Sequence, residues 1–371
     1  MIALLAATLF QEGWKVHEVA RGGQPLTAVA ADYTGDGRPD VIADVDGTVR
    51  LYAAPGWKET VLHDAEKIRL IHSETFDVDG DGDPDWIGAR YSPGLLFWLE
   101  NPGGEAKGPW ARRLVDDRLH GSHALLKGDV DGDGRPDLIA GSGLPAGPNR
   151  PYPNSLAWLR VPADPRKAER WERHLLAAGD SPGLNHYFGF GDVNGDGRPD
   201  VAAGAKGSPE ADRRDAEFAW WEAPADPTRP WKKHVVAAPA PGATCIQQAD
   251  VNGDGRADFL ASFGHEKGVL WYEAPSWTPR WIHEDLKEPH TLVVADLDGD
   301  GDVDAATCAF GAREAWWYEN DGKGNFARRL VARGQSAYDL RAADMDGDGD
   351  LDLLVAGRDS GNVVWCENPR R

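Results

Sequence analysis

One nine-residue pattern, D-x-[D/N/T]-G-D-G-x-x-D, occurs seven times in the chain, starting at Asp32, Asp77, Asp129, Asp192, Asp250, Asp296 and Asp344. The intervals are 45, 52, 63, 58, 46 and 48 residues. A period of that length commits the chain to copies of one supersecondary unit that bury their apolar faces only against each other, and it is the length of one four-stranded propeller blade.

The rest of each unit can be followed in the sequence. An apolar stretch such as "TLVVA" precedes the Asp loop, and a short apolar run such as "DLIAG" or "DLLVAG" follows it. Next comes a Trp-centred run ("LFWLENP", "LAWLRVP", "VLWYEAP", "VVWCENP"), with Leu51 in the Trp position of the first copy. A fourth run opens with an aromatic and basic residues ("WARRLV", "WERHLL", "WKKHVV", "FARRLV"). Four strands per unit, stopped by Pro and Gly, give an all-β chain. The last unit ends at "VVWCENPRR" without a fourth strand, whereas residues 14–19, "WKVHEV", form one with no unit of its own. Trp14 and His17 stand as Trp231 and His234 do, or Trp171 and His174. The expectation is a seven-bladed β-propeller over residues 14–371, closed by pairing of the N-terminal strand into the last blade, which leaves no exposed sheet edges. The Trp series reads as packing between blades, and His17, His174 and His234 as outer-strand surface residues.

The net charge of −21 excludes a nucleic-acid partner, since phosphate binding needs a basic stripe. Cys245, Cys308 and Cys366 are too far apart for a zinc spacing or a disulfide framework. Residues 1–13, "MIALLAATLFQEG", read as a leader or signal-peptide remnant, and no later apolar run is long enough to span a membrane. The expected location is therefore secreted, periplasmic or cell-surface.

The Asp loops present oxygens at positions 1, 3, 5 and 9 and a backbone carbonyl at position 7, with glycines at 4 and 6 that let the chain curl, which suits Ca2+. The last acid at position 9 and the flanking strands distinguish the loops from EF-hands. The predicted ligands are Asp32, Thr34, Asp36, Arg38 (carbonyl) and Asp40; Asp77, Asp79, Asp81, Asp83 and Asp85; Asp129, Asp131, Asp133, Arg135 and Asp137. The fourth and fifth copies supply Asp192, Asn194, Asp196, Arg198 and Asp200, and Asp250, Asn252, Asp254, Arg256 and Asp258. The last two supply Asp296, Asp298, Asp300, Asp302 and Asp304, and Asp344, Asp346, Asp348, Asp350 and Asp352. Thr34, Asn194 and Asn252 carry one charge fewer and predict weaker sites. Seven calcium ions would offset two thirds of the net negative charge.

These units resemble the FG-GAP or VCBS-type repeats of calcium-binding propellers, a class that includes integrin α-subunit heads and many secreted bacterial proteins. The resemblance spans residues 14–371, and the Phe-Gly signature stands in "YFGFGDVNGDG". The "W-x-E-N-P" and "W-K-x-H" runs are similar to those of bacterial carbohydrate-related propellers, including the propeller part of aldos-2-ulose dehydratases. That likeness implies carbohydrate as the ligand class.

The Asp loop ends the innermost strand, so residues about six positions earlier lie roughly 20 Å away at the other end, at 3.3 Å per residue. At that offset stand His123, His186, His290 and Tyr338, with Tyr187 adjacent, His72 one residue out of register, and His120 in the loop that carries His123. Loops opening on the same face carry Arg90, Arg150, Lys206, His265, Arg313 and Arg358. His or Tyr can take a proton next to a carbonyl or carboxylate while Arg stabilises the enolate, the core of β-elimination and dehydration. Several imidazoles can instead hold a transition metal such as Zn2+. The bland alternative is a wet channel lined by hydrogen-bonding side chains. No H-E-x-x-H, G-x-S-x-G, P-loop or C-x-x-C motif occurs, which leaves protease, α/β-hydrolase and P-loop chemistry without support. Two functions follow: a calcium-stiffened module that binds carbohydrate or a protein through its top face, and a carbohydrate lyase or sugar dehydratase. Imidazoles from three blades within metal-ligand distance would favour the enzyme.

Overall fold

The computed structural model describes residues 13–64 and 70–369. The expected leader therefore lies outside the described residues, apart from Gly13. Among the described residues, twenty-eight strands form seven antiparallel four-stranded sheets, with one 3-10 turn at Pro209–Ala211. In blades 1 to 6 the strands follow chain order from the axis outward. Blade 7 is composed of Asp339–Ala343, Asp352–Gly357, Asn362–Glu367 and, outermost, Lys15–Arg21.

The two ends of the chain are thereby joined, with Lys15 opposite Glu367 and Arg21 opposite Asn362. Trp14, 3 % exposed, sets its edge against Trp317 at 6.0 Å. It anchors the closing strand against blade 6.

The second strand of a blade has neighbours on both faces, so segments such as Asp137–Ser142 are buried at every position. Outermost strands such as Lys58–His63 bury one face only. The third-strand tryptophans fill the space between blades: Trp98 shares a cluster with Leu138 and Leu159 of the next blade, and Trp158 shares one with Val201. Leu51 takes the same buried place in blade 1.

The recurring outer histidines have a local cause. His17, His174 and His234 lie opposite Trp365, Trp158 and Trp220 in the strand pairing and stack on them at 4.1, 4.4 and 4.2 Å. Nε2 of His17 and of His234 then meets Glu367 and Glu222, each at 2.7 Å. The "W-x-E" and "W-K-x-H" runs are thus two halves of one cross-strand contact.

Candidate active site

The seven innermost strands start on one face of the wheel and end in the Asp loops on the other, so the two groups of candidate residues are separated by the length of a strand. In each loop the first Asp is the hub. In blade 2, Asp77 accepts from Gly80 N at 2.7 Å and Gly82 N at 2.9 Å, a curl that needs φ near +79° and +96° and hence glycine at both places. The ninth-position Asp85 accepts from Val78 N at 3.0 Å and Asn101 N at 2.7 Å, tying the loop to the end of the third strand. Each of these oxygens keeps a second lone pair.

Carboxylate oxygens come within 4.8 Å of one another in four loops: Asp77, Asp79 and Asp85; Asp129, Asp131 and Asp137; Asp296, Asp298 and Asp300; Asp344, Asp346 and Asp348. Burial pushes Asp85 up to about 8 and Asp137 and Asp352 up to about 7. Such carboxylates are costly to ionise without a cation, and they fit a hard, oxygen-seeking one. Blade 2 carries a built-in competitor, because Nη2 of Arg166 lies 2.7 Å from both Asp79 and Asp81, with Nε 2.7 Å from Glu100.

At the opposite face the strand starts converge. His123 precedes the innermost strand Leu125–Gly128, while His186 and His290 are the second residues of Asn185–Gly191 and Pro289–Ala295. One nitrogen from each of these three buried imidazoles lies within 4.8 Å of the other two. The His123 and His186 rings stack at 4.0 Å. Local irregularity aims them, since the pairing register shifts between Asn185 and Phe188 and again between Pro289 and Thr291. The first shift breaks strand alternation, so the consecutive His186 and Tyr187 both turn towards the axis.

Hydrogen bonds fix the tautomers. His186 Nδ1 is 2.7 Å from the Leu184 carbonyl and His290 Nδ1 is 3.2 Å from that of Tyr338; each nitrogen must donate, which leaves a bare lone pair on Nε2. Leu184 holds its carbonyl there from φ +65°, a conformation costly for a non-glycine residue. His290 Nε2 and His123 Nδ1 are buried without a hydrogen-bond partner. His265, from the loop after the second strand of blade 5, brings Nε2 to 2.9 Å from His186 Nε2. Burial first, then the neighbouring Lys206 ammonium, holds His123 down to about 3 and His265 to about 4. Burial likewise holds His186 and His290 well below the usual imidazole range. Two free lone pairs and a third that His265 meets converge here, and neutral imidazoles so placed fit a transition metal of the zinc type once His265 releases His186.

Aromatic rings bound the cluster. Tyr187 lies with its ring centroid 5.9 Å from that of His123, 5.4 Å from His290 and 5.2 Å from His72, and its hydroxyl donates to the Tyr338 carbonyl at 3.1 Å. Tyr338 stacks on His290 at 4.0 Å, under the Arg358 guanidinium at 4.7 Å. Burial raises both phenols, so they remain protonated.

His72 is brought to the underside of Tyr187 and not into the imidazole group. There it joins a buried network in which Arg341 meets Glu74 at 3.0 Å, His72 Nε2 at 2.7 Å and Asp339 at 3.1 Å. This network borders a cavity of about 520 Å3 lined by all seven innermost strands. His120 and Arg150 stand apart, in a peripheral groove with Asp117 and Arg118. Arg90 is buried at the end of its strand, and Arg313 is exposed.

A family model described as "FG-GAP-like repeat" matches residues 77–140, 192–261, 250–307 and 296–355. Aldos-2-ulose dehydratase from Phanerodontia chrysosporium is 25 % identical over 248 residues, covering 59 % of this chain and 26 % of that protein. The chain thus spans about a quarter of that relative's length. Among solved structures, BBS1N in complex with ARL6DN aligns over 97 % of this chain and 98 % of its own, at TM-score 0.62 and 11 % identity. Virginiamycin B lyase from Staphylococcus aureus aligns over 95 % and 99 %, at TM-score 0.60 and 9 % identity. Both likenesses concern the fold. With seven four-stranded blades and the repeat model matching more than half of its length, the chain belongs to the FG-GAP-like repeat family.

Proposed function

We propose that the protein is a carbohydrate dehydratase or lyase that removes the elements of water, or an alcohol, from a sugar by metal-assisted β-elimination at the imidazole cluster. The reading rests on one observation: three buried, neutral imidazoles from three blades bring nitrogens within 4.8 Å of one another at the starts of their innermost strands. Similarity to a dehydratase agrees with it.

His123, His186 and His290 are the residues that would hold the metal. When bound, such an ion supplies Lewis-acid polarisation of the carbonyl or carboxylate beside the carbon that loses its proton. His265 is then the imidazole left over to take that proton. The C–H electrons form the double bond as the neighbouring C–O bond breaks, and the departing oxygen takes a proton from the Tyr338 phenol. Tyr187 closes the underside. Calcium in the Asp loops stiffens the wheel and so fixes the strands that bring these residues together, and millimolar extracellular calcium makes export part of the same proposal.

The test is an ultraviolet-absorbance screen for unsaturated products, with zinc- or manganese-supplied protein against keto-sugars and uronide polymers. Product formation that is lost in His265→Ala is the expected result. Absence of product from every substrate would return the protein to the binding-module class.

A further inference from the structure

We infer that Tyr187 is a positioning residue for His290, acting through the main-chain carbonyl of Tyr338, and that Thr291 shares this role. The inference rests on the reading of the imidazole cluster as a metal centre and deepens it by naming what aims one of the ligands.

Three blades meet at the Tyr338 carbonyl oxygen. His290 Nδ1 approaches it at 3.2 Å from blade 6, the Tyr187 hydroxyl donates to it at 3.1 Å from blade 4, and the Thr291 hydroxyl donates to it as well. Tyr338 itself stands immediately before the innermost strand of blade 7, Asp339–Ala343. It holds His290 a second time, because its ring lies on the imidazole at 4.0 Å with 11° between the planes. In an imidazole that binds a metal, the direction of one nitrogen's lone pair is set by the hydrogen bond the other nitrogen makes. His290 Nε2, buried without a partner, is therefore aimed by the placement of the Tyr338 peptide.

The two hydroxyls that hold this peptide are themselves anchored. Tyr187 N donates to the Thr244 carbonyl of blade 5 at 3.0 Å, where the pairing register shifts between Asn185 and Phe188. The Thr291 carbonyl accepts from the Thr307 hydroxyl inside blade 6. Tyr187 is 5 % exposed and Thr291 4 %, so both hydroxyls are kept away from bulk water for this one oxygen. A carbonyl has two lone pairs and here meets three donors, so loss of one hydroxyl leaves it satisfied. Avoiding an orphaned acceptor does not account for the pair, whereas fixing the peptide from two sides does. With its phenol spent on the main chain, Tyr187 acts through His290 and not on the substrate.

The test reads metal affinity, not turnover. Cobalt(II), followed by its visible absorption, and zinc in competition with it are titrated into calcium-supplied wild type, Tyr187→Phe, Thr291→Val and Thr291→Ser. Tyr187→Phe and Thr291→Val should each bind zinc about 10- to 100-fold more weakly than wild type, while melting in calcium stays within a few degrees. Thr291→Ser, which keeps the hydroxyl, should remain within about threefold of wild type. Tyr187→Phe that binds zinc as tightly as wild type would overturn the inference, as would Thr291→Ser that loses as much affinity as Thr291→Val. A failure of the underlying reading looks different: wild type takes up neither metal, and the inference falls with it. If Tyr187→Phe does not fold, the contrast between Thr291→Val and Thr291→Ser decides.

Discussion

The Nε2 atoms of His265 and His186 face each other at 2.9 Å, although the two residues belong to different blades and lie 79 positions apart in the chain. Because His186 Nδ1 is committed to the Leu184 carbonyl, His265 must be the donor of this contact while no metal is bound; a metal on His186 Nε2 would take that lone pair and release the His265 imidazole. His265→Ala should therefore retain bound metal and the melting temperature while kcat falls by ~10^2- to 10^4-fold. Metal analysis beside steady-state kinetics checks this, and loss of metal in the variant would make His265 a ligand and not a base.

Calcium removal should have a pH signature. The folded values of Asp85, Asp137 and Asp352 are raised to about 8, 7 and 7, chiefly by burial, and Asp200 and Asp304 to about 6. A raised carboxylate leaves the folded state holding more protons than the unfolded one between its unfolded value, near ~3.9, and its folded value. Its contribution to stability is present below that window and is lost as pH rises through it. Protein in EGTA should accordingly melt lower at pH 8 than at pH 6, and calcium should raise the melting temperature most at pH 8. Melting that chelator leaves unchanged would mean that the loops are solvated acidic turns.

Arg166 should weaken calcium binding in blade 2, since its guanidinium contacts Asp79, Asp81 and Glu100. Arg166→Met should raise the affinity of one class of calcium site about three- to tenfold. Arg166 is partly exposed but Asp79 is only 1 % exposed, so removing the guanidinium should also lower stability without calcium at neutral pH. Calorimetric titration that finds all sites unaltered would remove Arg166 as a competitor.

Ring closure depends on Trp14, which is buried against Trp317 beside the strand that completes blade 7. Trp14→Ala should cost ~3–5 kcal/mol, measured as a shift in urea midpoint. A loss below ~1 kcal/mol would mean that blade 7 stands without this anchor.

The wheel itself was legible because a split repeat leaves a strand at each end of the chain, as "WKVHEV" and "VVWCENP" do, and because seven Asp loops fix the phase of every blade. The same phase points to His123, His186 and His290, since each stands six positions before the first Asp of its loop. Loop geometry carries no such period. His265 comes from a turn whose path the sequence does not dictate, and the register shift after Asn185 that brings Tyr187 beside His186 has no marker in "LNHYFGFG". His120, three residues before His123, turns instead to the outer groove of Arg150. Glu74 and Arg341 were within reach of strand alternation, being two positions beyond His72 and Asp339 on the axis-facing side.

The account centres on His123, His186 and His290 binding a transition metal, and elemental analysis of wild type and His186→Ala after equilibration with limiting zinc in the presence of calcium tests it most directly. One equivalent of zinc in wild type, absent from the variant while melting in calcium remains within a few degrees, is the predicted result. Wild type that retains no zinc, or a variant that retains as much as wild type, would contradict it.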